Sequence, residues 1–237
     1  TKATIEFLVT RAFGWLVEHL EEFDPFKNGR PFEMRNGQRI GELAILLHAY
    51  TELNGNRSAP GCQRIIDLLR KVQQQRWFGD RLFRSPQEFV LFSEVYAGLR
   101  GVGYDNAVAR QMIQRAIDAG YLNFTERLPH RVMDIASCLE RGGFRHPLPS
   151  LQSLYSTSVM SEVPCPAMLN EDALYFLTHV LMFLHDFGVG NKNAVPAAQR
   201  EELRHCLSAL LVIVCQDHHW DLLAELLLCW ECCGLGN

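Results

Sequence analysis

Five polar side chains recur at one place in five helical windows of the 237-residue chain: Glu42, Glu94, Asp134, His179 and Glu225. In each window an aliphatic residue follows one place later (Leu43, Val95, Ile135, Val180, Leu226) and a large apolar residue five places later (Leu47, Leu99, Leu139, Leu184, Trp230). On a 3.6-residue period the opening residue falls at the edge of the buried stripe, where a polar group can face a pocket. Carboxylates and an imidazole aimed at shared space are the material of general acid–base catalysis or of a divalent metal site. The plainer expectation is a structural acid bonded to a loop amide or a basic neighbour. Arg39 and Arg131 stand three residues before Glu42 and Asp134 for such pairs.

His179 differs because it takes the place of the acid. Asp172, His179 and Asp186 are spaced by seven, so a continuous helix carries them on one face with Tyr175 and Phe183 beside them. Asp172 is explained as a first-turn acid. Asp186, two residues before Gly188, falls at the end of the helix where the dipole disfavours a carboxylate, and a metal, a basic partner or a substrate has to compensate it. The candidate catalytic residues are therefore His179, Asp186 and Glu42, with Tyr175, Glu94, Asp134 and Glu225 as candidate ligand-binding residues; metal and cofactor stay unassigned. His185 and His48 are read as facing elsewhere.

The elements that must position these groups are helical. Ten stretches carry the 3.6-residue apolar period: 3–22, 38–52, 60–75, 86–101, 105–119, 126–142, 149–160, 170–187, 197–217 and 220–233. No stretch alternates as a strand does. Ser85-Pro86-Gln87-Glu88 combines an N-cap, a first-turn Pro and an acid at the third position, and Asn170-Glu171-Asp172 and Val195-Pro196 are comparable starts. The windows open 52, 40, 45 and 46 residues apart, and four of the five close on a glycine nine places after the opening residue (Gly103, Gly143, Gly188, Gly234). The unit is thus a helical hairpin of about 45 residues, repeated five times, with Gly as the left-handed residue after its second helix. The expected fold is all-α, a single domain over 1–237, either a compact α/α barrel-like toroid or a solenoid-like bundle. The first and last helices are both apolar, through Phe7, Leu8, Trp15, Leu226 and Trp230 among others. An open array needs polar ends, so closure of the first hairpin on the fifth, or a homodimer through those ends, is expected.

Composition narrows the function classes. Hydrophobic residues make up 48% and charged residues 21% of the chain, the profile of a folded protein. A net charge of −4 with scattered Lys and Arg provides no stripe for a phosphate backbone, so nucleic acid is not an expected partner. The longest apolar runs fall short of the roughly 20 residues of a membrane span. The chain opens into an amphipathic helix with no signal segment, and a cytoplasmic location is expected. The eight cysteines read mostly as reduced core thiols. One spacing suggests a metal: Cys229, Cys232 and Cys233, with His218 and His219 about three turns earlier; a second CxxC pair is missing and a core helix explains the leucines and Trp230 as well. Nucleotide-binding loops, nucleophile elbows and HExxH are absent. The basic, aromatic segment 75–84 suits either an acidic ligand or carrier-protein surface, or an inter-helix loop packed by its aromatics.

Phe13-Gly14-Trp15-Leu16 with Phe23 and Pro25, Gly41-Glu42-Leu43-Ala44-Ile45-Leu46, and Thr178-His179 leading to Asp186-Phe187-Gly188 resemble an uncharacterised all-helical family of actinomycetes, encoded beside natural-product biosynthetic genes. The resemblance spans nearly the whole chain, matches Glu42, His179 and Asp186 as polar positions, and implies a secondary-metabolism setting without a reaction; His185 stands where the family shows a smaller residue. Two functions follow. One is a natural-product or antibiotic tailoring enzyme with a small-molecule pocket, using acid–base or metal-assisted chemistry. The other is a non-catalytic helical-repeat protein that binds a small molecule or a partner protein.

Overall fold

Strong start signals in the sequence cap helices in the computed structural model, which describes residues 2–27, 32, 34–55, 60–75, 78–124, 126–191 and 193–236. Ser85 Oγ accepts the Glu88 amide, Asn170 Oδ1 accepts that of Ala173, and Asn106 Oδ1 accepts those of Val108 and Ala109. Each side chain satisfies amides that a helix start leaves without a partner. The described α-helices are α1 Lys2–Glu18, α2 Met34–Asn54, α3 Pro60–Gln73, α4 Phe78–Leu82, α5 Pro86–Gly101, α6 Ala107–Asp118, α7 Pro129–Gly142, α8 Leu151–Tyr155, α9 Glu171–Leu184, α10 Arg200–Gln216 and α11 Trp220–Cys232. No strand forms among the described residues.

The repeat is visible at the helix ends. Gly103, Gly143 and Gly234 have φ of 97°, 68° and 62°. Each amide bonds the carbonyl three residues back (Arg100, Glu140, Glu231), and the next amide bonds the carbonyl five back (Leu99, Leu139, Trp230). This paired closure is the Schellman motif, and the left-handed residue at its centre is where a Cβ is disfavoured.

The chain forms two compact units, Thr1–Thr125 with Cys138–Arg145, and Glu126–Ser137 with His146–Asn237. In the first, α5 is buried at every residue from 92 to 99 and α2 packs along it. Ala44 of α2 meets Gly98 so closely that a Cβ there would lie 2.8 Å from the Ala44 carbonyl oxygen. In the second unit α9 is the enclosed helix: Leu177, Val180, Leu181 and Phe183 are all buried, α11 lies against it, and α10 packs on α11.

Three segments depart from the periodicity. The stretch 149–160 is helical only over Leu151–Tyr155, because Ser156, Thr157 and Ser158 each bond a carbonyl three residues back through the hydroxyl, which offers the backbone an alternative to helix. The segment 75–84 contains α4, whose Phe78 and Leu82 are buried, while Arg81 lies over the Phe32 ring and 3.7 Å from Glu88; its Arg76 and Trp77 lie outside the described residues. α9 stops at Leu184, so the single face drawn through Asp172, His179 and Asp186 ends before Asp186. Phe7, Leu8 and Trp15 of α1 are exposed in their unit, as are Leu227 and Leu228 of α11 in theirs. No described helix is long and apolar enough to cross a membrane.

Gly98→Ala forces α2 and α5 apart against backbone atoms. It is expected to destabilise the protein by about 1–3 kcal/mol, read as a lower urea midpoint with an unchanged m-value; an unchanged midpoint would show that the two helices separate freely.

Candidate functional site

The five opening positions meet different surroundings. In the first unit Glu42 is exposed on α2 and accepts from Gln38 Nε2 at 3.0 Å. Glu94 is buried on α5, and its Oε1 accepts from Arg141 Nη2 at 2.5 Å, with both side chains almost wholly enclosed. That pair sits inside a core and holds the end of α7 to α5. In the second unit Asp134 lies 3.8 Å from Arg131, its neighbour three residues back. His179, Tyr175 and Glu225 are brought together along the seam of α9 and α11.

That seam is a ladder of polar contacts. His219 caps α11 through Nδ1, which accepts the Leu222 amide, so its Nε2–H donates to Glu171 Oε1 at 3.3 Å. One turn on, the Tyr175 hydroxyl donates to Asp221 Oδ2 at 2.8 Å, and burial together with this carboxylate pushes the phenol up to about 12. The next rung is Thr178, whose hydroxyl donates to Glu225 Oε2 at 2.5 Å. His179 Nδ1 lies 2.6 Å from the Tyr175 carbonyl oxygen and 4.0 Å from Glu225 Oε2. A carbonyl oxygen only accepts, so Nδ1 carries the proton and the neutral ring bears its lone pair on Nε2. Phe183 flanks the ring at 5.8 Å between centroids, and the His179 side chain stays 29% exposed.

Beyond the last turn of α9 the backbone is strained. His185 ends the helix, and Asp186 (φ 44°) and Phe187 (φ 53°) both adopt left-handed conformations before Gly188 (φ 89°). Two consecutive non-glycine residues of this kind cost about 1–2 kcal/mol each. The turn packs the Phe187 ring edge-on against Phe183 and encloses His185 completely. His185 Nδ1–H donates to the Asn191 carbonyl at 2.8 Å, leaving the Nε2 lone pair 3.5 Å from Cys233 Sγ. Burial lowers the imidazole below its ordinary value, aided by the Arg200 charge and opposed by the Asn191 carbonyl. Burial also pushes the Cys233 thiol up to about 12. The contact is a neutral S–H donating to a neutral imidazole, without the thiolate that nucleophilic catalysis needs. Cys229 is likewise driven well above its ordinary range by burial, and its Sγ faces the Thr178 carbonyl. His218 packs against Trp220. Among the described residues no group of three His, Cys, Asp or Glu is placed to hold a metal ion.

Thr178, Asp221 and His185 belong to this seam and were not singled out by helical spacing within one element; Cys233 was, but only as part of a metal-like spacing with Cys229 and Cys232. The signal that finds them is the repeat length. Glu94 and Arg141 are 47 residues apart, Thr178 and Glu225 47, His185 and Cys233 48, and Tyr175 and Asp221 46.

A family model described as Domain of unknown function (DUF6895) matches residues 9–236. The chain belongs to this family. No curated protein and no solved structure matches it.

His130, near the start of α7, stacks on Phe176 and is buried; burial, with the Arg131 charge, pushes its pKa down from 6.5 to about 4. His185 shifts the same way. The unfolded chain therefore takes up protons near pH 6.5 that the folded chain refuses, so stability is complete above that pH and falls as pH drops towards 4. Between about pH 7.5 and pH 5 the unfolding free energy should fall by about 1–2 kcal/mol through His130, and His185 should add to the fall in the same direction. Urea denaturation of the protein and of His130→Gln at both pH values checks this. The variant should lose part of the acid sensitivity, and an equal drop in both proteins would place the sensitivity elsewhere.

Proposed function

We propose that the chain acts on a small molecule at the exposed edge of His179, with Nε2 serving as general base and acid or as a single metal ligand. The observation that carries this reading is the fixed ring: Nδ1 is committed to the Tyr175 carbonyl and faces Glu225, which leaves Nε2 as the available lone pair. A base oriented by a second group is the common arrangement of acid–base sites. Glu225 here takes the orienting part for which sequence spacing put forward Glu42 and Asp186. Tyr175 contributes its carbonyl to the ring and its hydroxyl to Asp221, while Glu94 is tied to Arg141 inside a core and Asp134 lies beside Arg131. The setting proposed is cytoplasmic natural-product tailoring, antibiotic biosynthesis included; its support is the resemblance carried by Glu42, Thr178-His179 and Asp186-Phe187-Gly188.

A second reading, a non-catalytic repeat protein that binds a small molecule or a partner protein, draws support from the described cavities. Both are lined by α3 and the residues just after it, the smaller one also by the α5–α6 turn, and neither includes a residue of α9 or α11.

The test is incubation of the purified protein with a library of natural-product precursors, followed by mass spectrometry of the free and protein-bound fractions. The wild type should consume or retain a compound. His179→Asn should reduce turnover by about 100-fold or more and Glu225→Gln by a smaller factor, with both variants folded. A compound retained equally by wild type and His179→Asn, unchanged in mass, would overturn the catalytic reading in favour of the second one.

A further inference from the structure

The first unit holds a cavity of about 180 Å³ walled by Arg70, Gln73, Gln74, Tyr104, Asp105 and Asn106. It adjoins a more open groove of about 480 Å³ that shares Arg70 and Gln74 with it. An engineered apolar cavity of about 150 Å³ admits benzene, so the smaller space takes a ligand of one ring.

Its polar groups have a definite sense. Asn106 Oδ1 caps α6, accepting from Val108 and Ala109, which fixes Asn106 Nδ2 as the donor to Gln73 Oε1 at 3.1 Å. The Gln73 amide is thereby locked with Nε2 as its free arm. That nitrogen is buried without a hydrogen-bond partner in a side chain only 8% exposed. A buried donor left unmatched costs about 1–3 kcal/mol, and such groups commonly await a ligand atom or a bound water. Arg70 points the same way. Its guanidinium lies over the Tyr104 ring at 4.7 Å and makes no ion pair with the described residues. The acids nearby are already engaged. Asp105 accepts from the Tyr96 hydroxyl through Oδ1 and pairs with Arg110 through Oδ2. Asp67 accepts from Gln63, and Lys71 is held by Asp24 at 2.6 Å.

We infer that this cavity binds a small organic monocarboxylate, whose carboxylate is gripped by the Arg70 guanidinium fork and the Gln73 side-chain amide. A planar fork and one further N–H match the two oxygens of a carboxylate. One unpaired cation, with the Asp105 carboxylate in the cavity wall and Asp67 in the adjoining groove, suits a single negative charge and opposes a dianionic phosphate. The site shares no residue with the His179 seam, so each stands independently of the other.

The experiment is titration of the full-length, isotope-labelled protein with benzoate, followed through the Gln73 side-chain amide and Arg70 Nε–H signals in nitrogen–proton NMR spectra. Benzoate should shift both signals saturably, and neutral, isosteric benzamide should not. Arg70→Gln should weaken benzoate about tenfold or more. Gln73→Glu keeps the acceptor for Asn106 while replacing the free donor with an oxygen, and should abolish binding; circular dichroism reports that both variants are folded. Absence of saturable benzoate shifts in the wild type overturns the inference. So does equal binding of benzamide, benzoate affinity unchanged in both folded variants, or inorganic phosphate saturating the same signals.

Discussion

A carboxylate at the edge of a buried helical face has to find a partner, because ionised oxygens taken from water without hydrogen bonds cost several kcal/mol. In this molecule the partners come from the neighbouring hairpin as often as from the same helix. Glu94 reaches Arg141, and Glu225 reaches Thr178 and His179, each across one repeat. Asp134 and Glu42 use residues of their own helices. The lateral contacts fix the register of one second helix on the next, since a slip of one residue would strand a buried charge. His179 is held by its own helix, through the Tyr175 carbonyl, and lies 4.0 Å from the acid one repeat later, to which Thr178 of α9 donates.

The helices were legible in the sequence because their starts and stops rest on local chemistry. Ser85, Asn170 and the glycines at 103, 143 and 234 act within a few residues of themselves, and no tertiary contact is needed to read them. The grouping of His179 with Glu225 was legible as a shared position in a repeat, and Tyr175 as the neighbour of His179 on its helix face. Asp186 was not, because its place depends on where α9 ends. A uniform 3.6-residue period carries the helix through residue 187, whereas enclosure of His185 between Asn191 and Cys233 turns the chain at Leu184. The cavity lined by Arg70 and Gln73 was equally hidden: it joins α3 to the turn after α5, and neither segment carries a marked motif.

The turn after α9 shows what the departing repeat does. Where α5, α7 and α11 each close on a relaxed glycine, α9 closes through two strained residues that bring Phe187 onto Phe183 and seal His185 under them. Phe183 is also the ring beside His179. Strain of about 1–2 kcal/mol per residue persists where surrounding packing over-determines it, and here that packing forms one wall beside the available imidazole.

The central claim is that the neutral His179 ring is held with its proton on Nδ1 and its lone pair on Nε2, with Glu225 sustaining that state. Nitrogen-15 NMR of the imidazole side chains reads the tautomer directly. The wild type is expected to show His179 as the Nδ1–H tautomer, with the preference weakened in Glu225→Gln. A dominant Nε2–H tautomer in the wild type would contradict the arrangement at its root, because the nitrogen proposed to exchange protons with a ligand would then be the one already occupied.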